Sequence, residues 1–329
     1  MSTFPNSIYV ISLVGACAAT WIAMHYWLSW CLRHDWLDHP GHRKIHDQPI
    51  ALAGGLAIAT SLIIVISGAL LLLQLPILSS DAIDSLNHGF GERGIQIVGI
   101  VGGIFMMLGI GLWDDRHQPK PAVKFIIQSL AALLVAACGV RVTLFVDSLV
   151  FSYAATWFWI LLVVNACNFV DNMNGLCAGL AVISAFFFGL HASSQEHYLV
   201  ASLAFAICGA LLGFLPFNYP RARSFLGDSG SHLIGFMMAV LSILPHFYHE
   251  GYPHRHAVLS PLIILGIFLL DFAWIITFRT LNGLPVYTGD NNHLSHQMVR
   301  GGMAQHRAVA ILWLFQIFLG LSSITLLMS

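Results

Sequence analysis

The sequence predicts an all-α membrane protein of about ten transmembrane helices, and three observations predict it. Of its 329 residues, 57% are hydrophobic and only 9% are charged, against roughly 25% charged in a soluble domain. So few charges cannot cover a chain of this size with a polar surface in water, and the deficit reads as exposure to lipid. Ten apolar runs approach the roughly 20 residues that cross a bilayer. The basic residues between those runs fall unequally on the two sides.

The expected spans are 8–32, 50–75, 95–113, 122–140, 153–169, 174–192, 196–216, 229–246, 257–280 and 307–328. Helices are the default, because backbone groups in lipid must pair within their own segment. Transmembrane strands would run about ten residues and alternate in polarity; these runs do neither. The first span has no basic residue before it, and the first Lys or Arg is Arg33. A cleavable signal peptide carries its positive charge in front, so 8–32 reads as a retained span with the N-terminus outside. The second span follows a basic stretch, and the third runs up to an Asp pair. The fifth and sixth flank an Asn- and Asp-rich turn. The seventh and eighth flank a loop with two Arg. The ninth and tenth flank a His-containing loop.

Alternating these spans puts Arg33, Arg43, Lys44, Arg116, Lys120, Lys124, Arg221, Arg223, Arg279, Arg300 and Arg307 on one side. Only Arg93, Arg141 and Arg255 fall on the other. The richer side is cytoplasmic by the positive-inside rule, so both termini are expected in the periplasm. The formal net charge of −1 argues against a general polyanion binder, and no nucleic acid partner is expected. Six cysteines form no CxxC pair and read as buried small residues rather than a disulfide framework or zinc site. Without low-complexity tracts or long linkers, residues 1–329 are expected to form a single polytopic membrane domain.

Five segments on the cytoplasmic side carry most of the distinctive polar residues. The first is Asp38-His39-Pro40-Gly41-His42-Arg43-Lys44-Ile45-His46, leading to Gly54-Gly55. It is either a basic loop obeying the charge rule or a place where Arg43 and Lys44 attract a phosphate. The second ends in Asp114-Asp115-Arg116, followed by Lys124. Adjacent carboxylates at the end of an apolar helix are costly to desolvate, and they can hold Mg²⁺ or accept a proton. The third runs from Asn165 through Asn168, Asp171, Asn172 and Asn174 to Gly175. Amide and carboxylate oxygens are hard ligands, and helix capping accounts for one or two of these residues but not five. The fourth, Phe217 to Ser231, holds Asn218, Arg221, Arg223, Phe225 and Asp228 around a helix start. Such a start favours phosphate, although Asp228 or Ser229 can equally serve as a cap. The fifth is Asp290-Asn291-Asn292-His293-Leu294-Ser295-His296, then Arg300 and Arg307. Two histidines are too few for a closed zinc site and suit a diphosphate. A divalent-cation site, phosphate contacts and one membrane face together point to phosphoryl transfer to a lipid.

In order and spacing these segments resemble the polyprenyl-phosphate N-acetylhexosamine-1-phosphate transferases, over roughly residues 35 to 310. The resemblance implies transfer of a hexosamine 1-phosphate, most simply GlcNAc-1-phosphate, from a UDP-sugar to undecaprenyl phosphate. UMP is released, and the reaction starts cell-envelope polysaccharide synthesis at a bacterial inner membrane. It implies Mg²⁺ as cofactor, with Mn²⁺ as a substitute, and a homodimer as an assembly to test. It implies roles for Asp114, Asp115, Asp171, His293 and His296 in catalysis. Asn168 and Asp228 match metal ligands. Arg43, Lys44, Lys124, Asn174, Asn218, Phe225 and Arg300 match substrate contacts, with Phe225 stacking on uracil. The third segment departs from the pattern Asp-Gly-x-Asp-Gly, with Asn172 and Asn174 in place of a Gly and the second Asp. Ser295 departs at the middle of the His motif. The run of three His typical of the phospho-MurNAc-pentapeptide branch is absent, which favours a simple UDP-HexNAc donor. Two other readings are a transporter, for which Asp271 inside a span speaks, and a catalytically dead scaffold.

Overall fold

The computed structural model describes residues 5–40, 48–72, 80–144, 146–245, 255–287 and 290–328, helical almost throughout. Helix α1 (Asn6–Arg33) leads into a two-stranded hairpin, β1 (Leu37–Asp38) and β2 (Ile50–Ala51). Then come α2 (Gly54–Leu72), α3 (Ser80–His117), α4 (Pro121–Ala137), α5 (Leu149–Val170), α6 (Leu176–Ser194) and α7 (Tyr198–Asn218). After α8 (Gly227–Ile243), a 3-10 turn leads to α9 (Ser260–Ile264), α10 (Gly266–Leu281), α11 (Leu294–Arg300) and α12 (Gln305–Met328).

Among the described residues, 7 helices are long and apolar enough to cross a membrane, or 8 if the bent pair α9–α10 counts as one. Helices α4 and α8, with 17 residues each, are shorter. Helix α8 is also the most enclosed. Every residue from Ser229 to Ile243 is buried, enclosed by α3, α5, α2 and α6, so α8 meets protein where the outer helices meet lipid. The outer helices show apolar side chains such as Ile22, Ile64, Val98, Phe105 and Phe318, as a lipid-facing surface requires.

Each expected span overlaps helical structure, but several ends differ and one span is broken. Helix α3 begins at Ser80, well before the apolar run at 95. Hydropathy marks lipid contact, and the polar turns preceding it are helical without being apolar. The stretch 257–280 is not one rod: it bends by 67° at Leu265. Gln316 of α12 makes the break tolerable. Its Oε1 accepts from Ile267 N at 3.2 Å, and its Nε2 donates to Ile264 O. A side chain thus satisfies backbone groups that the break orphans. The hairpin was not expected either. Its strand β2 also bridges Ser224 in parallel, and Gly54 N and Gly55 N donate to Phe225 O and Leu226 O at 3.1 and 3.0 Å. Two close approaches need glycine. A Cβ on Gly55 would sit 2.5 Å from Gly230 N, and one on Gly111 would sit 2.3 Å from Ser229 Cα. The start of α8 is therefore gripped by α2 and α3. All six cysteines are free thiols, four of them buried and two half-buried.

Candidate active site

Helices α1, α3, α5 and α7 end where α2, α4, α6, α8 and α12 begin, so the polar segments collect at one end of the bundle. They line a cavity of about 580 Å³. The end of α3 supplies Asp114 and Asp115. The end of α5 and the turn after it supply Asn168, Asp171, Asn172 and Asn174. Asn218, Arg221, Phe225 and Asp228 come from the α7–α8 passage, and His296 from α11. Asp38 of the hairpin joins them.

The carboxylates are held in distinct ways. Asp115 accepts from Asp228 N at 2.7 Å and from Ser229 N at 3.2 Å. It thereby caps α8, whose first amide groups have no partner within the helix. Gly227 just ahead has φ +74°, and a Cβ there would meet Asp115 Oδ2 at 2.9 Å. Asp228 Oδ1 accepts from Asn168 Nδ2 at 2.6 Å, and the same amide donates to Ser231 Oγ at 2.9 Å. Asp114, only 4% exposed, forms an ion pair with Lys124 of α4. Asp171 follows the last turn of α5. Desolvation, then the Asp228 and Asp115 carboxylates, push its carboxyl up to about 8. Five carboxyl groups (Asp38, Asp114, Asp115, Asp171 and Asp228) line the cavity against Arg221 and the Lys124 paired with Asp114, and a cation would relieve their mutual repulsion.

A magnesium ion suits this donor set, which is oxygen throughout. Among the described residues no group of three or more His, Cys, Asp or Glu forms a closed metal cage. Mg²⁺ needs none, since it commonly takes one or two carboxylates and completes its shell with water and substrate phosphates. Asn168 already lies against Asp228, and both line the cavity.

The fifth segment is fastened to α10. Asp271, 4% exposed, accepts from His293 Nδ1 at 2.6 Å and from Leu294 N at 2.8 Å. Trp274 Nε1 donates to Asn292 O at 2.8 Å. Arg279 Nε donates to Asp290 Oδ2 at 2.7 Å while its guanidinium lies 4.8 Å from the Phe169 ring centre. For Asp290, burial pushes its carboxyl up, but Arg279 and the Asn292 amide outweigh this and hold it below the usual range. For His296, burial, His293 and Arg300 push its ring pKa down.

The expected residues therefore divide. Asp114, Asp115, Asn168, Asp171, Asn174, Asn218, Phe225, Asp228 and His296 share the cavity wall. Lys124 reaches it through Asp114. His293 is turned toward Asp271. Arg300 is exposed and donates to Asn292 Oδ1 at 2.9 Å. Asn218 spends both ends of its amide on the chain itself, accepting from Gly175 N at 2.6 Å and donating to Ser224 O at 2.9 Å. Asn174 Nδ2 donates to Pro220 O at 3.4 Å. Arg43 and Lys44 lie outside the described residues. Sequence reasoning missed that Asp271 and Arg279, which do not line the cavity, hold the fifth segment in place. An ionisable group inside an apolar run was the available signal for Asp271.

Comparison with known proteins fits this geometry. Residues 97–246 match the family described as "Glycosyl transferase family 4". The chain is 34% identical over 338 residues to a decaprenyl-phosphate N-acetylglucosaminephosphotransferase of Mycolicibacterium smegmatis, covering 93% of this chain and 79% of that protein. It is 29% identical over 298 residues to a probable undecaprenyl-phosphate N-acetylglucosaminyl 1-phosphate transferase of Bacillus subtilis, covering 88% and 77%. Similarity to a phospho-N-acetylmuramoyl-pentapeptide-transferase of Listeria monocytogenes, 35% identical, extends over 47% of this chain and 46% of that one.

Proposed function

The chain belongs to glycosyl transferase family 4, and from that premise we propose that it transfers N-acetylglucosamine 1-phosphate from UDP-GlcNAc to undecaprenyl phosphate, releasing UMP. One observation carries the proposal: a cavity with carboxylates, amides and a histidine opens at one end of an otherwise apolar bundle. A water-soluble nucleotide sugar and a membrane-held phosphate can meet there.

In this reading a phosphate oxygen of the lipid attacks the β-phosphorus of the UDP-sugar. The bond from that phosphorus to the UMP oxygen breaks, and the sugar–oxygen bond stays intact, so the anomeric configuration is kept. Asp114, held by Lys124, positions or deprotonates the lipid phosphate. Asp115 keeps the start of α8 in place, and Asp171 lies beside it. Asn168 and Asp228 would hold Mg²⁺, whose charge would neutralise the diphosphate and the departing UMP; Mn²⁺ is the substitute to test. Phe225 offers a face to uracil, and Asn174 an amide with donor and acceptor. Asn218 shapes that pocket through the loop it ties. His296 and Arg300 meet the diphosphate, and His293 supports them from Asp271. Arg43 and Lys44 draw in the phosphates.

The finer topology belongs to the same proposal: one polytopic domain with ten spans, both termini periplasmic and the cavity cytoplasmic, in a bacterial inner membrane. A homodimer is the assembly to test. A simple UDP-HexNAc donor is favoured over a MurNAc-pentapeptide donor, since similarity to the latter branch covers only 47% of this chain. Incubation of purified protein with radiolabelled UDP-GlcNAc, undecaprenyl phosphate and Mg²⁺ tests the reaction. Lipid-phase label with equimolar UMP is expected. Absence of transfer from every UDP-sugar by folded protein would overturn it.

A further inference from the structure

One side chain of the third segment and one of the fifth touch each other. Ser295 Oγ donates to Asn172 Oδ1 at 2.8 Å, across 123 residues of sequence. Asn172 Nδ2 donates to Phe169 O at 2.9 Å, so the last turn of α5 holds the amide with its oxygen toward α11. Ser295 is 1% exposed. Each partner adjoins a cavity-lining group of proposed function, Asp171 beside Asn172 and His296 beside Ser295, and Asn172 itself lines the cavity.

We propose that Asn172 and Ser295 are a pair of positioning residues that fixes the helix bearing His296 against the turn bearing Asp171. Asp271 fastens α11 to α10, and the Asn172–Ser295 bond fastens it to the turn after α5, which itself packs on α10 through Phe169, Phe272 and Arg279. Together they fix where α11 holds His296 at the cavity wall. Neither residue needs to touch the reacting atoms. The proposal rests on the transferase reading above.

A double-mutant cycle on the full-length protein tests it, with Asn172→Ala, Ser295→Ala and the double variant assayed for transfer from UDP-GlcNAc to undecaprenyl phosphate. Rates are normalised to the folded fraction measured by thermal melting. Each single change is expected to lower kcat/KM by about tenfold, the effect of one hydrogen bond that matters. That loss should appear in the KM for UDP-GlcNAc and leave the KM for the lipid unchanged. The double variant should be no worse than the poorer single one, because partners in one bond are not additive. Ser295→Thr, which keeps the hydroxyl, should stay nearer the parent than Ser295→Ala. Additive losses approaching about a hundredfold, a fall in kcat with both KM values unchanged, or the reverse order of Thr and Ala would each overturn the pairing. A parent protein that transfers no UDP-sugar would instead overturn the reading beneath it.

Discussion

The two ends of the bundle each hold a cavity, of about 580 Å³ at one end and about 440 Å³ at the other, yet they differ in kind. The first collects Asp114, Asp115, Asp171 and Asp228 with amides between them. The second is walled by Val142, Phe158, Trp159, Ile243 and Leu262, with Arg141 at its edge. Its polar atoms are largely occupied within the chain: Trp159 Nε1 donates to Ser242 Oγ at 2.7 Å, and Ser242 Oγ to Ala239 O at 2.6 Å. Volume alone does not separate these cavities. The gathered carboxyl groups do, because carboxylates that repel one another stabilise nothing unless a cation joins them.

That contrast can be broken or sharpened by substitution. Asp228→Ala should have the largest effect, lowering transfer by about 10³-fold at saturating Mg²⁺, as measured by lipid labelling; a loss below about tenfold would remove Asp228 from the chemistry. Asp271→Asn should come next. It loosens His293 without touching the cavity wall, and a fall of about 10- to 100-fold is expected, as for other supporting residues. Unchanged kinetics would mean that the fifth segment is held by its other contacts alone. Gly111→Ala should act through packing. The added methyl meets Ser229 backbone, so α3 and α8 must part, at a cost of about 1–3 kcal/mol, read as a lower melting temperature in detergent together with weaker activity. A melting curve equal to the parent's would deny the close crossing. Ser242→Ala at the opposite end should be mildest: loss of the Trp159 bond costs about 1 kcal/mol and leaves the transfer rate within about twofold. A large loss of turnover there would erase the distinction between the two ends.

Much of this arrangement was legible in the sequence because lipid imposes a simple code. Apolar runs located the long helices of the bundle, though not the short α11, and polar clusters between them marked the cavity end. What hydropathy could not register was structure without lipid contact. The early turns of α3 are polar and helical. The hairpin at Leu37–Asp38 and Ile50–Ala51 is too short to show a pattern of alternation. The break at Leu265 depends on Gln316, 51 positions away in sequence, and no local signal announces it. The site shows the same limit. Residue types at the wall were readable, but their partners were not. Asp115 caps α8, Asn218 binds its own loop and His293 faces Asp271, because tertiary contacts decide which end of a side chain remains for a ligand. Asp271, which a transporter reading would claim, has both oxygens committed to the His293 turn.

The most direct test is to map where the nucleotide sugar sits. The protein in membranes is irradiated with a photoreactive 5-azido-UDP-N-acetylglucosamine in the presence of Mg²⁺, and the labelled peptides are identified by mass spectrometry. The account predicts label within residues 171–175 or 218–228, protected by excess UDP. Label confined to residues 141–144 or 258–262, at the apolar end, would contradict it.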